Sequence, residues 1–102
     1  MYRLIVCYGH PEDPAAFDEH YSTTHRGLAE KIPGVVEFHA GKCSSMDGSQ
    51  PPYYLIAELV FQSNESLLAG LGTPEGKAAA GDVPNFATGG ATMLVTDDWI
   101  AP

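Results

Sequence analysis

The sequence predicts an α+β fold: a four-stranded antiparallel sheet with two helices on one face, in the chain order β-α-β-β-α-β. Three observations predict it. Residues 2–8 and 53–61 are near-continuous apolar runs of strand length, as expected of strands covered on both faces. Residues 35–42 and 91–96 are further strand-like segments. Two amphipathic helical stretches separate these runs, each opened by a capping residue.

Taken in order, Tyr2 to Tyr8 forms the first strand, broken in apolarity only by Arg3. Gly9-His10-Pro11-Glu12-Asp13-Pro14 is turn chemistry. Asp13 can cap the helix that follows, and Pro14 fits its first position, where no donor is missed. Phe17, Tyr21, Thr24, Leu28 and Ile32 recur at helical spacing and make one stripe, with His25 at its edge. Pro33-Gly34 marks the stop. In residues 35–42, Val36, Phe38 and Ala40 alternate with Glu37, His39 and Gly41, which predicts an edge strand. Residues 43–52 are a loop. Ser63 can cap a helix over 64–71, with Leu67, Leu68 and Leu71 on its buried side. Thr73 and Pro74 start a short helix to about Ala80, and residues 81–90 read as a loop before the last strand. Trp99 in the tail is expected to pack against the body.

This order is the split βαβ of ferredoxin-like folds, in which the first and third strands are central. They are also the two continuous apolar runs. Two helices cover only one face of such a sheet. Tyr2, Leu4 and Val6 alternate with Arg3, Ile5 and Cys7, so both faces of the central strand are largely apolar. A second copy laid sheet to sheet would cover the open face, so the expectation is a homodimer and a dimeric α+β barrel.

At 102 residues the chain is sized for one domain, residues 1–102. Its net charge of −8 disfavours phosphate backbones and anionic membranes, so nucleic acid and membrane partners are not expected. No charged-then-apolar leader and no apolar run near 18 residues is found, which predicts a soluble cytoplasmic protein. Cys7 and Cys43 are then expected as free thiols.

Three stretches resemble the EthD family, named for degradation of ethyl tert-butyl ether. They are Phe17, Tyr21, His25, Leu28-Ala29 and Ile32-Pro33-Gly34; then residues 52–59 with Phe61-Gln62-Ser63; then Thr73-Pro74-Glu75-Gly76 running on to residues 82–90. The resemblance spans nearly the whole chain in family order. It implies a dimeric α+β barrel, agreeing with the pattern. The wider group holds muconolactone-type isomerases, polyketide cyclases and cofactor-free monooxygenases. Methylmuconolactone isomerases are similar in the helix, with a functional histidine that maps onto His25. Their second histidine, in the loop before the third strand, has no counterpart in residues 47–52, which speaks against that particular isomerase activity.

His25 is the candidate catalytic acid/base, being the one residue near the stripe that titrates close to neutral pH. The sequence leaves open that it merely hydrogen-bonds backbone at a helix-sheet seam. Tyr21, one turn earlier, either lines the same pocket or belongs to the core. Tyr8, Tyr54 and Phe86 are further pocket candidates. Asp82 and Asn85 flank Pro84 and serve either a ligand or simple turn chemistry. No metal is expected: His20 and His25 are five apart, roughly 140° around an α-helix, and do not converge. Gly72-Thr73-Pro74-Glu75-Gly76-Lys77 fails as a phosphate loop, and no cofactor fingerprint is present. Two classes of function follow. One is a cofactor-independent enzyme moving a proton on an apolar, oxygenated small molecule of a catabolic route, such as a lactone, an enolisable ketone or a polyketide. The other is a non-catalytic binding or accessory protein of a degradation pathway. An oxygenase or reductase component is a third.

Overall fold

A computed structural model describes residues 1–102. Its elements are β1 (Tyr2–Tyr8), α1 (Pro14–His20), a π-helical turn (Tyr21–His25), α2 (Arg26–Glu30), β2 (Glu37–Lys42), β3 (Leu55–Phe61), α3 (Asn64–Leu71), α4 (Pro74–Phe86) and β4 (Ala91–Asp97). The four strands form one antiparallel sheet in the order β2-β3-β1-β4. This is the α+β, ferredoxin-like arrangement, with the two apolar runs in the centre.

Register explains the core. Leu4, Val6 and Tyr8 of β1 pair with Leu59, Ala57 and Leu55 of β3, and all six turn towards the helices. Phe17, Tyr21, Ala29 and Ile32 meet them from the first helical layer, and Leu67, Ala79 and Phe86 from α3 and α4. The caps read from sequence are made: Asp13, Ser63 and Thr73 accept from the backbone N–H of Ala16, Ser66 and Gly76. Gly34, at φ 91°, makes the exit turn that a side chain would resist. Cys7 and Cys43 are free thiols.

Four expectations are corrected. First, the buried series on the first helix is Phe17, Tyr21, His25, Ala29 and Ile32, whereas Thr24 is exposed and Leu28 only half-buried. The π turn adds a residue to the repeat, so His25 takes the inward place that a regular helix would give Thr24. Second, residues 81–86 are helix, not loop. Pro84 forfeits a backbone hydrogen bond, a loss of about 3 kcal/mol in a helix interior. Burial of Phe86 and the bonds made by Asp82 offset it. Third, Leu68 points outward, leaving Leu67 and Leu71 on the inner side of α3. Fourth, Trp99 does not pack: its side chain lies on the surface beside Ile100. No helix is long and apolar enough to cross a membrane.

Candidate functional site

The site begins with an irregularity in a helix. Ser22 and Thr23 turn their hydroxyls back onto the carbonyls of Asp18 and Glu19, at 2.8 Å for Ser22 to Asp18 and 2.6 Å for Thr23 to Glu19. Such back-bonds compete with the helical ladder and bend it. The ladder then widens, and the Arg26 N–H bonds the Tyr21 carbonyl five residues back. In an i→i+5 turn, residues five apart lie over one another. His20 and His25 therefore face the same way, which corrects the expectation that they diverge.

What they face is Asp82, carried by α4. Gly76 lets α4 lie against α3, because a Cβ there would collide with the carbonyls of Gly70 and Leu71. The Asp82 carboxylate accepts from His20 Nε2 at 2.9 and 3.0 Å, from His25 Nδ1 at 3.0 Å and from Asn85 Nδ2 at 3.0 Å. Burial would raise its pKa, but the hydrogen bonds from Asn85, His20 and His25 together hold it below the usual carboxylate range. Phe86 stacks on the His20 ring at 5.3 Å between centroids and lies 4.7 Å from that of His25.

A carboxylate only accepts, so Nδ1 of His25 carries a proton and donates it to Asp82. Burial pushes the His25 pKa below the ordinary value of 6.5, and Asp82 opposes without cancelling this. The imidazole is thus neutral near pH 7, with the lone pair on Nε2. No protein group bonds that nitrogen, while His25 as a whole is only 5 % exposed.

His25 lines a cavity of about 130 Å³ between the first helical layer, α4 and the sheet. The rest of the wall is apolar or aromatic: Leu4, Val6, Tyr8, Tyr21, Ala29, Ile32, Phe38, Ala57, Leu59, Leu71, Gly76, Ala79, Ala80, Val83 and Met93. A second depression, a groove of about 600 Å³, runs between the first helix and β2 past Asp18, Arg26 and Lys42. Tyr21 and Phe38 line both spaces, so the groove and the cavity lie on either side of the same two rings. The Tyr21 hydroxyl is enclosed and has no hydrogen-bond partner. Burial raises the pKa of Tyr21, and pushes that of Tyr8 up to about 12, so both phenols stay protonated.

The structure thus brings together His25, Tyr21 and Tyr8 of the sequence candidates. Asp82 and Asn85 stand behind His25 rather than on the cavity wall, and Phe86 packs among the rings. Tyr54 is elsewhere, donating its hydroxyl to Asp18 at 2.7 Å. Sequence reasoning missed His20 as a partner of Asp82, and Phe38 and Met93 as cavity walls. The run Ser22-Thr23-Thr24, three poor helix formers in mid-helix, was the available signal for the first. No group of three or more His, Cys, Asp or Glu side chains is arranged to hold a metal ion.

Known proteins agree with this architecture. Over 98 residues the chain is 53 % identical to an uncharacterized 11.0 kDa protein from the thcB–thcC intergenic region of Rhodococcus erythropolis, covering 96 % of this chain and 95 % of that protein. A crystal structure of an EthD family protein from Bacillus halodurans superposes with a TM-score of 0.90 at 36 % identity, covering 95 % of this chain and 97 % of that one. The fold is shared more distantly with SnoaB of Streptomyces nogalater, a cofactor-independent oxygenase, at a TM-score of 0.66 and 14 % identity over 98 % and 93 % of the two chains. The EthD domain model matches residues 9–90. On that match, and on the 53 % and 36 % identical relatives, the chain belongs to the EthD family.

Proposed function

We propose that the protein is a cofactor-independent enzyme that moves a proton on a small, apolar, oxygen-bearing molecule, with His25 as the acid/base. One observation carries this reading: His25 is buried, held through Nδ1 by Asp82, and has an unpartnered Nε2 on the wall of an otherwise apolar cavity. A general base needs an available lone pair near neutral pH and a fixed ring. Asp82 fixes the tautomer and would stabilise the imidazolium formed when a proton is taken, as the aspartate does in a Ser-His-Asp triad. A cavity near 150 Å³ accepts benzene, so about 130 Å³ suits one small ring. The fold shared with a cofactor-independent oxygenase is compatible with chemistry of this kind.

The test is deuterium exchange of the α-hydrogens of cyclohexanone in D2O, followed by NMR. The wild-type protein should accelerate exchange over buffer. His25→Gln should lose roughly a hundredfold or more of that acceleration. Saturable binding of cyclohexanone without accelerated exchange would overturn catalysis and leave a carrier of the same pathway.

The active form is proposed to be a homodimer. Ile5, Ile56 and Leu94 lie on the sheet face away from the helices, and Leu94 of edge strand β4 is about half exposed, at 52 %. A second copy would cover that surface. Light scattering at micromolar concentration should give twice the chain mass; a monomer at every concentration would refute it.

A further inference from the structure

One polar atom in the protein interior stands out. The Tyr21 hydroxyl is buried, and it is the only buried side-chain nitrogen or oxygen without a hydrogen-bond partner. Leaving such a group unpaired costs stability, and native interiors seldom do so without a use for it. Its surroundings are specific. The Tyr21 ring lies 5.1 Å from that of His25 and meets the Tyr8 ring edge-on at 5.7 Å, centroid to centroid. Both rings face the cavity. The Tyr8 and Tyr21 hydroxyls are neighbours that affect each other's ionisation, but no hydrogen bond of good geometry joins them, so Tyr8 does not satisfy the Tyr21 hydroxyl. Tyr21 and His25 both line the cavity, and each carries a polar atom with no protein partner, a donor just beneath the surface and an acceptor, Nε2, against an apolar background.

That pair matches one chemistry. We propose that the Tyr21 hydroxyl, with Tyr8 beside it, holds the carbonyl oxygen of a cyclic ketone or lactone about six ring atoms in size, while His25 exchanges the proton on the adjacent carbon. The proposal rests on the proton-transfer reading of His25 and adds the group that holds the substrate's oxygen and stabilises its enolate. The step balances within the substrate and the two side chains. Nε2 takes the α-proton, the C–H electron pair becomes a C=C bond, and the carbonyl π pair moves onto oxygen. Tyr21 donates its hydrogen bond to that oxygen, and it keeps its proton. The imidazolium returns a proton to the same carbon or, in a conjugated ring, to the remote end of the system, which gives exchange or isomerisation with no oxidant. A donor in a water-poor site stabilises developing negative charge more than it would in water.

The distinguishing pair of probes is phenol and toluene, which differ by a hydroxyl in place of a methyl. Phenol can accept from Tyr21 and donate to His25 Nε2; toluene can do neither. Titrations followed by NMR should show Tyr21→Phe weakening phenol roughly five- to tenfold, the range of one net hydrogen bond, with toluene unchanged. The variant removes only an unpaired oxygen, so its Tm should rise by a few degrees, which also verifies folding. Cyclohexanone exchange should fall by roughly a hundredfold in Tyr21→Phe, the loss seen when one oxyanion donor is removed. If exchange continues at the wild-type rate, or if phenol and toluene weaken together, the Tyr21 proposal is overturned and the His25 reading stands. If phenol selectivity depends on Tyr21 but no variant or wild type exchanges cyclohexanone, the proton-transfer reading fails instead, and with it the enolate role.

Discussion

Asp82 and Asp18 make the same kind of contact in two different solvents. Each is a helical aspartate that accepts hydrogen bonds from more than one side chain, and each carboxyl is held below the usual range. Asp18 takes its bonds from Lys42 and Tyr54 at the lip of the groove, where its side chain is 38 % exposed and that of Lys42 55 %. Asp82 takes its bonds from His20, His25 and Asn85, with 8 % of its side chain exposed. Water can replace the partners of the first; of the second, His20 and Asn85 still meet solvent, but the Asp82 carboxylate and its His25 partner are nearly sealed from it. Drawing the same two acids on paper would not separate them; their burial does, and it assigns one to the surface and the other to the site.

The largest effect expected follows at once. Asp82→Ala leaves the Nδ1–H of His25 buried without an acceptor and releases His20. Loss of about 3 kcal/mol is expected, measured by urea unfolding. Asp82→Asn is the sharper variant, because it keeps the shape. Its carbonyl can still accept, but its amide can equally present a donor to His25 and favour the other tautomer. Cyclohexanone exchange should then fall at least a hundredfold with most of the stability retained. A variant as active as wild type would reduce Asp82 to a structural acid like Asp18.

How much of this comparison could be read beforehand is instructive. The sheet was legible, because β1 and β3 carry apolar residues on both faces, interrupted only by Arg3 and Glu58, while β2 alternates. The helix starts were legible because Asp13, Ser63 and Thr73 are local signals, satisfied within three residues. His25, Tyr21 and Asp82 each drew notice. Tyr21 and His25 were legible as neighbours on one face, but the link to Asp82 was not, for two physical reasons. The π turn changes which residues share a face, and it is set by tertiary packing together with the Ser22 and Thr23 back-bonds rather than by apolar spacing. Pro84 read as a helix breaker, although the buried Asp82 and Phe86 hold α4 through it. Trp99 was expected to pack against the body by its size alone, and it lies on the surface instead.

The pH dependence sharpens the contrast between the two ends. The folded-state pKa of His25 lies below its unfolded value of about 6.5, so the unfolded chain binds the extra proton first. Stability attributable to His25 is therefore full above about pH 6.5 and falls as the pH drops below it, by up to about 1.4 kcal/mol per pH unit until the folded site also protonates. Asp82 adds a second loss at lower pH. Its folded pKa is depressed, so its contribution is present above the usual carboxylate range and disappears as the pH falls through the folded value. Urea midpoints between pH 7.5 and 5.5 should fall for wild type and fall less for His25→Gln, which lacks the buried imidazole. Equal slopes would mean that His25 is as solvated as a surface histidine.

The smallest effect belongs to Asp18, and its smallness is the point of the comparison. Lys42 lies beside Asp18 and also 5.3 Å over the Tyr54 ring, and the Tyr54 hydroxyl donates to the same carboxylate. On a drawing this network has as many contacts as the one around Asp82. Yet exposed ion pairs gain little, because water screens the attraction and two side chains must be held still. Asp18→Asn keeps an acceptor for Tyr54 and removes only the charge opposite Lys42. Its Tm should move by about 2 °C or less in low salt, and the difference should vanish in molar salt, where the screening length is about 3 Å. Asp82→Asn should keep most of its deficit in the same salt, since a carboxylate with 8 % of its side chain exposed is screened far less than one at the surface. A salt-insensitive loss at Asp18 comparable to that at Asp82 would show that the groove is drier than its exposure implies. The groove would then count as part of the site rather than as open surface.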